Sequence, residues 1–151
     1  SLYKEDICYM YIISACLVGV RCRYNGVITI NEKLLKLVQA GKALAICPEQ
    51  LAGLSTPRLP CEIIKNKNGI LRVVNSQKED LTKEFQLGAQ KTLQIAQIVG
   101  ANTAILKARS PSCGKGQIYS GNFNGELIAG DGFTTLLLQK NGIKVYTEEE
   151  F

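Results

Sequence analysis

Histidine and tryptophan are absent from this 151-residue chain, and methionine occurs once. Without an imidazole there can be no serine–histidine triad, no histidine-ligated zinc and no histidine general base, so proton transfer falls to carboxylates, hydroxyls and lysines. Long apolar runs are also missing. The longest near the N-terminus, Ile7–Val20, is broken by Ser14 and Gly19 and is too short to cross a bilayer. Lys4, Glu5 and Asp6 mix both signs ahead of it and no cleavage site follows, so neither a secretory leader nor a membrane anchor is expected. With no starting methionine, Ser1-Leu2 is read as a cloning remnant. Residues 1–8 are expected to be an N-terminal extension to one domain at 9–151.

The chain is 46% hydrophobic with a net charge of +5, ordinary values for a soluble globular domain. Lysine and arginine are dispersed among the acids; such mild basicity permits an anionic substrate or RNA contact but more often serves solubility, and RNA contact is not expected. Six cysteines could make three disulfides. That arrangement suits short secreted scaffolds with little core, and this chain is neither short nor core-poor. The thiols are therefore read as free and the location as cytoplasmic.

Met10–Ala15, Ala43–Ile46, Ala104–Lys107 and Ile143–Tyr146 are short and almost continuously apolar, as strands buried on both faces should be. Between them, Asn31 caps a helix over Glu32–Ala40 that stops at Gly41. A longer helix opens at Asp80 or Thr82 and ends near Val99-Gly100, with Phe85, Ala89, Leu93 and Ala96 on one face. A third helix over Gly132–Lys140 takes Asp131 as its cap and turns Phe133, Leu136, Leu137 and Leu138 inward. Leu51–Pro60 has no period and reads as an ordered loop. Glu62–Ile64 and Ile70–Val74, joined around Asn68-Gly69, predict a β-hairpin appended to the main sheet, and Ile118–Glu126 a loop or short hairpin. The alternation predicts an α/β class: one doubly wound, Rossmann-like domain with a mostly parallel sheet and a small hairpin insertion.

Three cysteines fall where predicted strands give way to loops. Cys16 follows the first strand, Cys47 closes the second, and Cys113 sits just past the third in Ser110-Pro111-Ser112-Cys113-Gly114. Parallel strands deliver their C-terminal ends to one edge, where ligands of open α/β sheets bind. Thiolates gathered there would hold a soft metal or an iron–sulfur cluster, and three of them would leave one iron open. Cys8, Cys22 and Cys61 read as small buried hydrophobes, with Cys22 close enough to Cys16 to merit a test. Gly114 and Gly116 would let backbone N–H groups approach an anion or a cluster sulfide, and Ser110 and Ser112 offer hydroxyls beside the third thiol. Glu49, two residues past Cys47, is either an acid–base group leaning over the pocket or an exposed loop glutamate. Arg58 binds an anion or braces its loop. Tyr24 stacks on a planar substrate or sits in a solvated turn.

Ile13–Gly19, Arg23-Tyr24-Asn25-Gly26, Cys47-Pro48-Glu49-Gln50, Gly53–Arg58, Ile105–Gly114 and Gly130-Asp131-Gly132 together carry a resemblance. The chain resembles a family of small bacterial domains whose characterised relatives are thiouracil desulfidases. The resemblance implies a 4Fe–4S cluster held by Cys16, Cys47 and Cys113, with an open iron that would bind the sulfur of a thiolated pyrimidine. It implies Glu49 as the acid–base group and a catalytic serine in the Ser-Pro-Ser-Cys motif, Ser110 ahead of Ser112. Cys61 stands where the family leads one to expect a small residue without a thiol. Relatives acting on thiolated tRNA carry a further domain, so a free base or nucleoside is the expected partner. Two other readings use the same residues: a cluster-bearing sulfur carrier, and a zinc-bearing binding module without chemistry.

Overall fold

The computed structural model describes residues 10–151; Cys8 and the extension at residues 1–8 fall outside them. In chain order the elements are β1 (Tyr11–Ser14), α1 (Glu32–Gln39), β2 (Ala43–Ile46), α2 (Pro48–Leu51), β3 (Cys61–Lys65) and β4 (Leu71–Asn75). There follow α3 (Thr82–Ile98), β5 (Thr103–Leu106), β6 (Gln117–Tyr119), β7 (Leu127–Ala129), α4 (Phe133–Lys140) and β8 (Lys144–Thr147).

Four parallel strands make the main sheet in the order β2-β1-β5-β8. β1 is the hinge of this order: Tyr11 lies beside Ala43 of β2 on one side and Thr103 of β5 on the other. The chain therefore leaves β1 first to one side and later returns to the other. At such a switch the loops leaving adjacent strands diverge and open a crevice beyond the carboxyl ends. Successive side chains of a strand point to opposite faces, and both faces are buried here. Ile12, Ala104 and Leu106 pack with Ala96, Leu138 and Val145 beneath α3 and α4. Ile13 and Ile105 pack with Leu17 and Leu34 beneath α1. Helices on both faces of a parallel sheet make the doubly wound arrangement that the alternation predicts.

Several expectations are corrected. The β3–β4 hairpin is not appended to the main sheet but forms a separate two-stranded sheet, because Ile63 and Val73 find their burial against Phe85 of α3 and Ile118 of β6. Asp131 is not the cap of α4. Its carboxylate accepts from the Gly116 N–H at 2.7 Å, and Gly132 occupies the cap position. Nor do the leucines of α4 all face inward: Leu136 is 40% exposed, whereas Thr134 and Thr135 are buried with Leu138. The Ile118–Glu126 region is a hairpin, β6–β7, whose strands lie at its margins. The one-turn helix α2 is also new. Pro48 at its first position supplies the fixed φ and the missing N–H that a helix start tolerates.

α2 matters because Cys47 caps it and Glu49 rides on it. It is held from behind by α3 at Gly88, where a Cβ would stand inside the contact distance of the Pro48 carbonyl. Lys91 Nζ adds a bond to the Leu51 carbonyl at 3.0 Å. Gly88→Ala must push α2 and α3 apart, and overpacking of this kind costs about 1–3 kcal/mol. We expect a loss of that size in urea unfolding, although alanine is the better helix former.

Candidate functional site

A cleft of about 650 Å³ opens at the carboxyl ends of β1, β2 and β5, a size suited to a small molecule. All five described cysteines, Cys16, Cys22, Cys47, Cys61 and Cys113, line it, and all are free thiols. Cys16 sits in a single 3₁₀ turn, Ala15–Leu17, that bends the chain as soon as β1 ends. Cys47 stands in extended backbone at the start of α2. Cys113 follows β5 in a loop whose entrance, Arg109, has a left-handed φ of 68°, an uncommon conformation for a residue with a side chain.

That loop is seated on the first turn of α4. The carbonyls of Gly114, Pro111 and Ser112 accept from the N–H groups of Gly132, Phe133 and Thr134 at 2.8–2.9 Å, and Thr135 Oγ1 donates to the Cys113 carbonyl at 2.9 Å. The approach is so close that a Cβ on Gly132 would lie 2.5 Å from the Ser112 carbonyl. Gly114 belongs to the same construction. Its N–H donates to the Ser110 carbonyl at 2.9 Å, and a Cβ there would meet that oxygen at 2.7 Å. The expectation that this N–H approaches a ligand is therefore corrected: the turn itself consumes it.

Hydrogen bonds grade the thiols. Cys22 is buried and lines the cleft with Cys16 and Cys47, and the Cys47 thiol lies 4.0 Å from the Cys22 carbonyl. Hydrogen bonding within this trio favours the proton on Cys22 and raises its pKa, while it lowers Cys16 and brings Cys47 down to about 7. Burial pushes Cys113 up to about 12, even though Ser14 Oγ donates to its sulfur at 3.2 Å. Cys61 is likewise raised to about 12, chiefly by burial. Ser14 is itself fixed by the Lys107 N–H, which donates to its hydroxyl at 2.9 Å.

Beside the thiols stands a hydrogen-bonded chain of Arg58, Glu49, Ser112 and Ser110. Glu49 Oε1 accepts from Arg58 Nε and Nη2 at 3.2 and 3.1 Å, and its Oε2 accepts from the Ser112 hydroxyl at 2.8 Å. Ser112 has one proton to give, and the charged oxygen at 2.8 Å outcompetes the Cys113 sulfur at 3.6 Å. Ser110 Oγ accepts from the Cys113 N–H at 2.7 Å and lies 3.3 Å from Ser112 Oγ. Arg58 further donates to the carbonyls of Cys22 and Ser55 and to Thr56 Oγ1. It is a brace for Glu49 and for the Cys22 turn. The remaining cations at the third strand exit are paired with the C-terminal acids in order: Lys107 with Glu148, Arg109 with Glu149, Lys115 with Glu150.

The donor set fits an iron–sulfur cluster. It is all sulfur, it comes from three strand exits, and the Ser14 hydroxyl already points at the Cys113 sulfur, as donors do at cluster thiolates. Among the described residues no three cysteine or carboxylate side chains are placed to hold a single metal ion; Cys16, Cys47 and Cys113 line one cleft. A sequence model of known function covers almost all of this architecture, matching residues 11–150. The chain belongs to the 2-thiouracil desulfurase family. It is 46% identical over 146 residues to the uncharacterized protein YbbK of Bacillus subtilis (strain 168), spanning 93% of this chain and 97% of that one. It also matches the solved structure of TudS, a [4Fe-4S]-dependent thiouracil desulfidase. The match has a TM-score of 0.86 and 41% identity, covering 95% of this chain and 93% of that one.

The fold thus brings together every cysteine, serine and glutamate expected at the site, with Tyr24 at its rim. Sequence reading missed two supports of this desulfurase-family site. Ser14 is a polar residue closing an apolar strand, a signal that was available. Cys22 was read as a core thiol, and only the return of the 18–30 loop toward β2 reveals its neighbours. The Arg58–Glu49 pair is 9% and 14% exposed, so Arg58→Ala should cost about 3 kcal/mol in urea unfolding by leaving a carboxylate unpaired. The double variant with Glu49→Gln should recover at least about 1 kcal/mol of that loss.

Proposed function

We propose that this chain is a non-redox desulfidase that replaces the thiocarbonyl sulfur of a thiolated pyrimidine base or nucleoside with oxygen. Cys16, Cys47 and Cys113 are assigned as ligands of a 4Fe–4S cluster. The observation that carries this reading is the bond from Ser112 to Glu49, which sets an acid–base carboxylate against the loop of the third thiol. Membership of the 2-thiouracil desulfurase family supports it, as does the likeness to a [4Fe-4S]-dependent thiouracil desulfidase.

When bound, the cluster supplies one iron not taken by protein thiolates, a soft Lewis acid for a thiocarbonyl sulfur. The chain's residues manage water and protons. Glu49 Oε1 is filled by two bonds from Arg58, but Oε2 keeps a lone pair beyond the bond from Ser112, so Glu49 can take a proton from a water in the cleft. The hydroxyl oxygen then bonds to the thiocarbonyl carbon. As the carbonyl forms, the C–S bond breaks with its electron pair on sulfur, and the protons are returned to that sulfur. Water supplies the oxygen and no electron is exchanged. Arg58 fixes the carboxylate's orientation, and Ser112 delivers a hydrogen bond that would otherwise come from solvent. Ser110, half-buried and facing the cleft, is the hydroxyl left to hold the ring or the water.

Iron and acid-labile sulfide in protein purified without oxygen test this reading. We expect about four of each per chain, with a brown chromophore. Serine at Cys16, Cys47 or Cys113 should abolish colour and turnover together. Zinc, or no metal after anaerobic reconstitution, would overturn the assignment. Glu49→Gln should keep the cluster while turnover of 2-thiouracil falls by about 10²-fold or more; unchanged turnover removes Glu49 from the reaction.

A further inference from the structure

Glu62 is a buried titratable group that the reaction above leaves unused. It lies on β3 at 9% exposure and lines the cleft. Its Oε1 accepts from the backbone N–H groups of Gly121 at 2.9 Å and Phe123 at 3.2 Å, both in the turn joining β6 to β7. None of the ion pairs among the described residues includes it. Its Oε2 has no partner among them either. Thr134 Oγ1 is the only fully buried side-chain oxygen or nitrogen among them left unpaired, so Glu62 Oε2 reaches open space. With one oxygen pinned by two backbone N–H groups and no cation beside it, the carboxylate offers its second oxygen to the cleft as a free acceptor.

The turn that Glu62 holds belongs to the same cleft. Phe123 lines it together with Tyr119 and Gly125, and Phe123 has a left-handed φ of 54°, unusual for an aromatic residue. Gly121 lets the turn lie directly on β3, where a Cβ would meet the Ile63 carbonyl at 2.8 Å. One oxygen of Glu62 therefore fixes the aromatic wall while the other is left for whatever enters.

We propose that Glu62 selects the pyrimidine: Oε2 accepts a ring N–H of the thiolated base, and Oε1, through the Phe123 amide, holds the aromatic wall beside that ring. The assignment rests on the desulfidase reading and extends it to substrate choice. A thiouracil ring presents N–H donors next to its thiocarbonyl carbon, which a carboxylate can accept. A cytosine-type ring presents a bare nitrogen between its carbon substituents, and an N-alkylated ring presents no hydrogen, so both meet repulsion or an unpaired acceptor.

Glu62→Gln separates the two oxygens' roles. The amide oxygen keeps the bonds from Gly121 and Phe123, while the NH2 group turns a donor toward the cleft. In cluster-loaded protein we expect the KM for 2-thiouracil to rise roughly ten-fold or more, with kcat and melting temperature near those of the unsubstituted protein. The calorimetric Kd for uracil should weaken in parallel. Of 1-methyl- and 3-methyl-2-thiouracil, one should bind the unsubstituted protein weakly and show no further loss in the variant. A variant that matches the unsubstituted protein within about twofold in KM and Kd would reduce Glu62 to a brace for the hairpin and overturn the proposal. So would equal affinity of the unsubstituted protein for 2-thiouracil and both methyl analogues, a comparison that does not need the variant to fold. Failure of the unsubstituted, cluster-loaded protein to convert 2-thiouracil would instead bring down the desulfidase reading, and this assignment with it.

Discussion

The seating of the Ser110–Gly114 loop on the first turn of α4 is the constraint from which the rest of the site follows. The first N–H groups of a helix have no partners within it, and here loop carbonyls satisfy those of Phe133 and Thr134 as well as the N–H of the capping Gly132. Because the carbonyls of Pro111, Ser112, Cys113 and Gly114 turn toward the helix, the side chains of the loop turn away from it. Ser112 then faces Glu49, and the Cys113 sulfur faces Ser14 on β1. A side chain at residue 132 would separate loop and helix, so one glycine outside the cleft governs the direction of both a hydroxyl and a thiol within it.

Given that orientation, the charge pattern is self-consistent. Arg58 meets Glu49 from the opposite side to Ser112, so the carboxylate is gripped at both oxygens. The same guanidinium binds the Cys22 carbonyl, tying the turn that carries Cys22 to the helix that carries Glu49. Cys22 in turn is buried and lines the cleft with Cys16 and Cys47. No histidine takes part: the pKa of Cys22 is raised, while those of Cys16 and Cys47 are lowered, which favours thiolates at the proposed ligand positions. Pairing of the outer cations with Glu148, Glu149 and Glu150 also ties the C-terminal end to the third strand exit.

What the sequence made legible was whatever depends on local pattern. The four sheet strands were readable within a residue or two because strands buried on both faces are apolar without alternation, and parallel exits then dictate that Cys16, Cys47 and Cys113 share an edge. Asn31 was readable as a cap because its side chain bonds the Leu34 N–H within its own turn. Asp131 followed the same rule and misled. A tertiary donor, the Gly116 N–H, claims its carboxylate, and propensity has no knowledge of that competitor. Glu62 was legible only as a strand residue, since its partners lie about sixty positions further along the chain. Gly114 was misread for the opposite reason: its permissive backbone serves a close approach within the protein rather than one to a ligand.

The cleft is built from two kinds of structure with different tolerances. Its thiols and the Glu49 chain come from strand exits and one helix turn set against the central sheet, where a small displacement would disturb the proposed ligand and acid–base geometry together. Its opposite wall, with Glu62, Tyr119 and Phe123, comes from two hairpins outside the sheet, β3–β4 and β6–β7. These hairpins are joined to each other by the Glu62 carboxylate and by the close approach at Gly121. Chemistry that must not vary thus sits on the rigid part, and ring selection, in the reading proposed above, sits on the part that can change without moving a thiol. Side chains at the hairpin wall, such as the thiol of Cys61, then bear on what the cleft admits, while the proposed reaction is set at the sheet edge.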